Sequence, residues 1–459
     1  MPGPLVTGMS RSEGGEAKLT HMKKILLIAL LFICSNVFAQ DAIEYQVPPK
    51  EIYDLVMAKT APGVSFDSKG EWMLIMERSS MPGVEELAQP ELRIAGLRIN
   101  PNNFSPSRSG YSTNFIIKNI RSGKEFPVSG LPKDLKAGNI QWSPNEDKIA
   151  FTQTNDKGVD LYMIDVKTRK ATKLNKSLVN TVMGNTFNWI DNNSIVYKAV
   201  YKPLSMAPVK PIAPKGPVVQ QNLGKVAASV TYQDLIKTPF DESLFEFYGT
   251  TQLVRNVNGI ETRVGIPGIY SSVNASPDKN YFLIERIDKP YSYLVTANGF
   301  NSTIYITDMS GTLIKQITKL PSSELSPTGF DNVLNAPRAH NWLANEPATL
   351  LWIEPLDSGI MKKKMDYHDA AYTLSAPFSG SPKLLVKTAM RLNNISDITK
   401  DIFLITEGSR AKHWRKLSKL NPGNGAQEVL IERSTDDAYN DPGTPVYDKN
   451  KSNIAVTDS

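Results

Sequence analysis

Cysteine is almost missing from this chain of 459 residues, which has a single thiol, Cys34. One cysteine forms no intramolecular disulfide and completes no cysteine-rich zinc or iron–sulfur site, so scaffolds of these kinds are excluded. Histidine is scarce as well, and no H-E-x-x-H pattern occurs. We therefore expect no metal site and no cofactor, and we interpret His340, His368 and His413 as surface or hydrogen-bonded histidines.

A strong excess of one charge is also missing. The 52 basic and 46 acidic residues give a formal charge of +6, and the densest basic run, 362–364, stands alone. Surfaces that bind nucleic acid need clustered cations. We interpret the run as a solvated turn and expect no nucleic-acid partner.

One long hydrophobic run is present, at 25–33, between a basic start and small residues. This order is typical of a secretory signal peptide, and the run is too short to cross a bilayer. We predict that 22–39 is a signal peptide cleaved between Ala39 and Gln40, that the product is periplasmic or secreted, and that it has no stable membrane insertion after cleavage. Residues 1–21 are expected to be a non-native or disordered extension.

The remaining sequence contains a repeated pattern: a hydrophobic residue, a turn rich in Ser, Asp, Pro and Asn, and then a short apolar strand. Helical periodicity is rare, which favours an all-β fold. The shortest spacings approach the roughly 40–50 residues of a four-stranded propeller blade. We predict a seven-bladed β-propeller over 40–459 whose last blade is incomplete. The copies begin at Phe66, Trp142, Trp189, Ala275, Trp342, Ile395 and Val446.

The repeated residues are expected to be structural. We predict that Trp142, Trp189 and Trp342 pack between neighbouring blades instead of stacking on a ligand. The turns follow the same logic, because proline fixes φ and an Asp or Asn side chain closes the turn onto its own backbone.

Two insertions interrupt the repeats, at about 85–109 and 202–250. Insertions on a propeller lie at its faces, where partners bind. The second opens with a proline-rich stretch that should be extended. We predict two short helices after it, at 231–236 and 242–247.

Motifs for hydrolysis are not found. No serine lies in the G-x-S-x-G turn that exposes a nucleophile, and the acidic stretch 436–441 lacks the glycine and closing glutamate of a calcium loop. No catalytic residue is therefore assigned, and the chain is expected to be inactive alone.

Five segments of the sequence, taken in order, form a further pattern: 45–52, 92–99, 231–235, 289–293 and 434–443. Together they resemble the glutamyl endopeptidase branch of the prolyl oligopeptidase family of serine peptidases. One departure is 299–301, Gly-Phe-Asn, where the branch has a basic residue before Phe-Pro.

The resemblance implies a propeller that restricts access to a C-terminal α/β-hydrolase domain with a Ser-Asp-His triad. That domain is absent from this sequence, so we expect a non-catalytic, substrate-gating N-terminal portion. Its partners would be peptide substrates together with the missing hydrolase domain. The alternative is a stand-alone periplasmic propeller that acts as a scaffold or protein-binding module.

An enzyme that cleaves after glutamate needs a cation for the substrate carboxylate, since burying a carboxylate unpaired is costly. Arg98, in the segment that resembles the family, is the first candidate for substrate binding, and Arg93 is the second. The alternative is that each forms a surface or inter-blade salt bridge.

Overall fold

The computed structural model describes residues 46–58, 60–212, 231–443, 445–447 and 454–456. The chain divides into two compact units, 1–58 and 59–459. The described part of the first unit contains helix α1 (Lys50–Val56). The predicted extension and signal peptide, with its cleavage site at Ala39 and Gln40, lie outside the described residues.

The second unit is built from short antiparallel strands and few helices, so the prediction of a mostly β fold is confirmed. Its first group of four strands, repeat 1 (63–127), belongs to an eight-stranded sheet that also contains repeat 2, and it is interrupted by helix α2 (Val84–Leu87) and a small separate sheet. In chain order the strands are β1 (Gly63–Phe66), β2 (Trp72–Arg78), then β3 (Leu92–Ile94), β4 (Leu97–Asn100) and β5 (Ser105–Pro106) of the small sheet, and β6 (Ser112–Asn119) and β7 (Glu125–Pro127).

Five further repeats follow, each an antiparallel meander of four strands. Repeat 2 (137–173) has β8 (Ala137–Trp142), β9 (Lys148–Asn155), β10 (Gly158–Asp165) and β11 (Lys170–Lys173). Repeat 3 (187–268) has β12 (Phe187–Asp191), β13 (Ser194–Val200), β14 (Thr251–Val257) and the first part of β15 (Ile260–Ala275). Repeat 4 (269–320) has the rest of β15, β16 (Tyr281–Ile287), β17 (Ser302–Asp308) and β18 (Leu313–Leu320).

The last repeats have the same order. Repeat 5 (338–388) has β19 (Arg338–Trp342), β20 (Thr349–Pro355), β21 (Asp369–Ser375) and β22 (Lys383–Thr388). Repeat 6 (391–434) has β23 (Arg391–Thr399), β24 (Ile402–Ser409), β25 (Trp414–Leu420) and β26 (Gln427–Ser434). A two-stranded pair, β27 (Pro445–Tyr447) and β28 (Ile454–Val456), completes the described strands.

The recurring turn of the sequence connects the first and second strands of each repeat. In repeat 1 the carboxylate of Asp67 accepts hydrogen bonds from the backbone N–H groups of Glu71 and Trp72, at 2.8 and 3.0 Å. In repeat 4 the hydroxyl of Ser276 accepts one from Tyr281 N–H at 3.1 Å. These side chains close the turn onto the following strand, so the structural interpretation of the turns is confirmed.

The three tryptophans pack between neighbouring repeats, as predicted. Trp142 of repeat 2 donates its indole N–H to Ser65 Oγ of repeat 1 at 2.9 Å, and Trp342 of repeat 5 donates to the Asn274 carbonyl of repeat 4 at 3.0 Å. Trp189 packs against an apolar cluster that repeats 2 and 3 share, and its indole nitrogen is buried without a hydrogen-bond partner.

Of the two helices predicted in the second insertion, one is present and the other is not. The segment 242–247 lies within helix α3 (Pro239–Gly249), which Thr238 caps by accepting from Asp241 N–H at 3.2 Å. The segment 231–236 is not helical. Asp234 has a left-handed backbone (φ +57°), a conformation that interrupts a right-handed helix. Its carbonyl instead accepts a hydrogen bond from Gly96 N–H of the first insertion at 2.9 Å.

The described part of the proline-rich stretch, 202–212, contains one short 3-10 helix (Leu204–Met206).

Candidate functional site

The predicted substrate-binding arginines lie opposite each other on the hairpin β3–β4. Arg93 and Arg98 are directly paired in the register, and the turn between the strands is Ala95-Gly96, with φ of +53° and +76°. Two successive left-handed residues are typical of a type I′ hairpin turn. Alternation buries Ile94 and leaves both arginine side chains about half exposed.

The tip of this hairpin is held by two other segments. Gly96 N–H donates to the carbonyl of Asp234, and the carbonyl of Ala95 accepts from Ala297 N–H at 2.8 Å. A Cβ on Gly96 would lie 2.3 Å from Cγ2 of Thr296. We call the three segments 84–109, 231–250 and 288–301 the insertion module.

One apolar core joins the parts of this module to repeats 3 and 4. Phe245 of α3 makes T-shaped contacts with Tyr291 and Phe300, at ring-centroid distances of 5.0 and 5.4 Å. The hairpin therefore has a fixed position relative to the module's other segments. The buried members of the core are Ile94, Ala95, Ile99, Phe104, Val182, Met183, Ile236, Phe245, Phe247, Tyr248, Ile269, Ile287, Tyr291, Val295, Ala297 and Phe300.

The departure from the family pattern at 299–301 has a structural counterpart. A Cβ at Gly299 would lie 2.1 Å from Oγ of Ser323 and 3.2 Å from Cγ2 of Val295, so a side chain there would require the Ser323 hydroxyl to move. Phe300 is buried in the module core, and Asn301 donates to the carbonyl of Pro290 at 2.9 Å. A basic residue at 299 would displace this hydroxyl.

Both candidate arginines form ion pairs. Arg93 Nε donates to Glu91 Oε1 at 2.7 Å, and Arg98 Nε donates to Asp234 Oδ2 at 3.3 Å. Glu91 also accepts from Ser107 Oγ at 2.6 Å and lies 3.5 Å from Arg108 Nε. The hydrogen bond from Ser107, followed by that from Arg93, holds the pKa of Glu91 below its ordinary value.

These side chains form a cluster of three arginines with two carboxylates, which leaves one positive charge unbalanced. The guanidinium groups of Arg93, Arg98 and Arg108 are all about half exposed. Among the described residues, no hydrogen bond uses the Nη atoms of Arg98. The chemistry this arrangement can perform is binding of an anion such as a carboxylate, at an exposed site.

The histidines follow the prediction in two cases of three. Nδ1 of His368 is 2.8 Å from the buried carboxylate of Asp357, and exposed His413 lies 2.9 Å from Asp436. His340 is the exception, because it is half-buried and its Nε2 is buried without a hydrogen-bond partner. Its ring instead stacks on Trp352 at a centroid distance of 6.4 Å.

A buried charge network near His368 was not predicted from the sequence. Arg391, which is 3% exposed, donates to Asp357 at 2.6 Å and to Asp369 at 2.9 Å, and Arg338 donates to Asp369 at 2.5 Å. Burial raises the pKa of Asp357, but hydrogen bonds from Arg391 and His368 outweigh it and hold the pKa below its usual value. The network joins repeats 5 and 6, whose sequences give no sign of this pairing.

In the described ranges, no group of three or more His, Cys, Asp or Glu side chains is arranged to hold a metal ion. None of the helices described is long and apolar enough to span a bilayer.

Comparison with known proteins gives two curated relatives, both named probable chloroplastic glutamyl endopeptidases. The rice protein is 30% identical over 426 residues, which are 88% of this chain and 45% of the relative. The Arabidopsis thaliana protein is 30% identical over 418 residues, 87% of this chain and 43% of the relative. A scan of protein-family models gave no match.

Solved structures with detectable similarity include an acylaminoacyl peptidase from Pyrococcus horikoshii, at 11% identity and a TM-score of 0.37 over 81% of this chain and 46% of that chain. A prolyl endopeptidase has 9% identity and a TM-score of 0.40 over 82% of this chain and 42% of that chain. Similarity at this level supports no statement about individual residues.

The chain is a relative of the serine peptidases of the prolyl oligopeptidase family, which confirms the resemblance seen in the sequence. The two curated relatives that it matches along most of its length are named probable glutamyl endopeptidases. It spans less than half the length of either relative.

Proposed function

We propose that this chain is the non-catalytic, substrate-gating β-propeller portion of an exported serine peptidase similar to glutamyl endopeptidases. The match to part of two such enzymes carries the proposal. Six four-stranded repeats in chain order, followed by the pair β27–β28, support a seven-bladed propeller with an incomplete last blade. Gating would limit the access of substrates to the hydrolase domain of such a peptidase.

The test compares the full chain with the same chain joined to the hydrolase domain encoded downstream or in an adjacent gene. Hydrolysis of a chromogenic peptide containing glutamate is measured for both. We expect activity from the joined protein and none from the chain alone. Hydrolysis by the pure chain would refute the non-catalytic assignment, and a genome without a hydrolase-encoding segment at either position would refute the gating role.

Within this function, we propose that Arg98, with Arg93 beside it, binds the carboxylate of a substrate glutamate. This role is supported by the exposed guanidinium groups, by the unbalanced positive charge and by the Nη donors of Arg98, which make no hydrogen bond within the described residues. Loss of a charge-assisted hydrogen bond should weaken binding by about tenfold or more.

The site is tested by fluorescence anisotropy of labelled peptides that differ by one Glu→Gln change. The full chain should prefer the glutamate peptide, and Arg98→Gln should lose the preference. Arg121→Gln, at an exposed turn of repeat 1, is the matched control and should keep it. If Arg98→Gln keeps the preference for the glutamate peptide, substrate binding by Arg98 is refuted, and its role is only the surface ion pair with Asp234.

We also propose export through cleavage between Ala39 and Gln40, supported by the apolar run 25–33 and its basic start. Amino-terminal sequencing of the protein recovered from the periplasm or the medium should begin at Gln40. An intact amino terminus on protein recovered from the cytoplasm would contradict this.

A further inference from the structure

A cavity of about 420 Å³ lies between repeat 4 and the first strand of repeat 5. This volume falls in the range of about 300–1,000 Å³ that is usual for small-ligand sites. Its walls are mostly apolar, with a few polar side chains. The lining residues are Ser272, Leu283, Ile284, Glu285, Ile304, Leu320, Leu334, Ala336, Pro337, Arg338, Ala339, His340 and Asn341.

The strand register places a carboxylate in the apolar face of repeat 4. Glu285 on β16 is paired with Ser272 on β15 and with Ile304 on β17, so the three side chains form a row across one face of the sheet. Leu283, two residues before Glu285, is on the same face and packs against repeat 5. The carboxylate therefore adjoins an aliphatic surface.

Among the residues that the structure describes, the carboxylate of Glu285 has no cationic partner. It accepts a hydrogen bond from Ser302 Oγ at 2.8 Å, and within the described ranges it takes part in no ion pair. The lining cation Arg338 is held by Asp369 at 2.5 Å. Arg286, next to Glu285 on β16, pairs with Asp288 at 2.9 Å on the opposite face.

His340 does not supply the missing positive charge. Burial lowers its pKa to about 4, so the ring is neutral at physiological pH. Thus geometry and charge both leave the negative charge of Glu285 as the unbalanced one in this cavity.

The opening of the cavity comes from an irregularity in β19. The register shifts between Arg338 and Asn341, and Ala339 between them has a left-handed backbone (φ +55°). Bulges of this kind re-aim side chains and bend the strand. Ala339 and Asn341 are exposed, so the cavity is open to solvent at this strand.

We infer that this cavity binds a primary alkylammonium group, with the ammonium on Glu285 and the alkyl chain along Leu283, Ile304 and Leu320. A cation in a partly apolar site is costly unless it is paired, and Glu285 supplies the pair. The group can come from a lysine side chain or amino terminus of a peptide, or from a free alkylamine. The inference does not depend on the proposed peptidase function.

Calorimetric titration of the full chain with n-pentylamine tests the site, with n-pentanol as the neutral probe of the same length. We expect saturable binding of the amine and weaker binding of the alcohol. Glu285→Gln should weaken amine binding by about tenfold to a hundredfold, as expected for loss of a charged hydrogen-bond acceptor. Glu71→Gln, which replaces an exposed carboxylate outside the cavity, should bind the amine as the unchanged chain does.

A second variant keeps Glu285 and fills the space. Ala336→Leu extends a buried lining residue into the cavity and should abolish binding of the amine. Circular dichroism melts confirm that each variant is folded. Equal binding of amine and alcohol, unchanged binding by Glu285→Gln, or no saturable binding of the amine would overturn the inference.

The source of the group is distinguished by titrating a lysine peptide with a blocked amino terminus, the same peptide acetylated on lysine, and cadaverine. Preference for the unmodified peptide over its acetylated form assigns the site to peptides. Binding of cadaverine with no binding of either peptide assigns it to free amines. Each of these results requires the ammonium group and so supports the site.

Discussion

Replacing Asp369 by asparagine is expected to destabilise repeats 5 and 6 by about 3–5 kcal/mol. Asp369 is completely buried and accepts three close hydrogen bonds: from Arg338 at 2.5 Å, from Arg391 at 2.9 Å and from Leu392 N–H at 2.7 Å. Asparagine has the same shape, but it has one acceptor oxygen and no charge. The guanidinium groups of Arg338 and Arg391 therefore both lose a carboxylate partner.

The magnitude follows from which charges become unpaired. Arg391 keeps its hydrogen bond to Asp357 at 2.6 Å, so its charge stays partly compensated. Arg338 keeps the Leu392 carbonyl at 3.2 Å, and it is 26% exposed, so water takes over part of the lost interaction. Removing one partner of a buried pair typically costs about 3–5 kcal/mol, and this residual compensation favours the lower part of that range.

Urea unfolding followed by tryptophan fluorescence measures the total change in the free energy of unfolding. Hydrogen exchange with mass spectrometry shows which repeats are destabilised. Exchange should rise in 338–434, while 137–173 should change little, because repeats are coupled mainly to their neighbours. The control is Asp401→Asn, an exposed carboxylate in the turn between β23 and β24. If both variants lose the same small amount of unfolding free energy, within about 0.5 kcal/mol, the network makes no specific contribution to stability and the reasoning is refuted.

Gly96→Ala should destabilise the fold more than Gly123→Ala, because both positions are left-handed but a methyl group clashes at the first and meets open space at the second; equal melting temperatures would contradict this. Trp342→Phe should lower the free energy of unfolding by about 1–3 kcal/mol more than Trp189→Phe, because it removes the hydrogen bond to the Asn274 carbonyl, whereas the buried indole nitrogen of Trp189 makes no hydrogen bond. Denaturant unfolding of both variants checks the order, and a reversed order would refute the argument. Burial lowers the pKa of Lys198 to about 7, below its unfolded value, so the unfolded chain binds more protons and stability should rise with pH above about 7. The slope should reach at most about 1.4 kcal/mol per pH unit and vanish in Lys198→Met; the same slope in that variant would exclude Lys198 as its source.

The repeats could be predicted from sequence because they are local. A lead residue, a turn and a strand lie within about ten residues of one another in Trp142 to Phe151, and the side chains that close the turn are part of the same segment. The helix at 242–247 was predictable for the same reason, since its cap and its apolar face are contiguous.

Features that depend on distant segments could not be predicted. The segment 231–236 has no helix because Asp234 has a left-handed backbone and its carbonyl accepts a hydrogen bond from Gly96, which is distant in the sequence. The pairing of Arg98 with Asp234 has the same origin. In the sequence, Glu285 is an ordinary strand residue. The cavity beside it depends on the irregular strand β19, which is distant in the sequence.

The cavity and the buried charge network share one side chain, Arg338, which lines the first and pairs with Asp369 in the second. Because Arg338 is paired with Asp369, its positive charge in the cavity wall is compensated. In Asp369→Asn, the guanidinium of Arg338 loses its carboxylate partner, and its uncompensated positive charge in the cavity wall would repel an incoming ammonium group. At a temperature where this variant is folded, pentylamine should therefore bind more weakly than to the unchanged chain, although Asp369 does not line the cavity. Binding of n-pentanol should be unaffected, because it does not depend on charge. An unchanged affinity for the amine would show that the two sites are electrostatically independent.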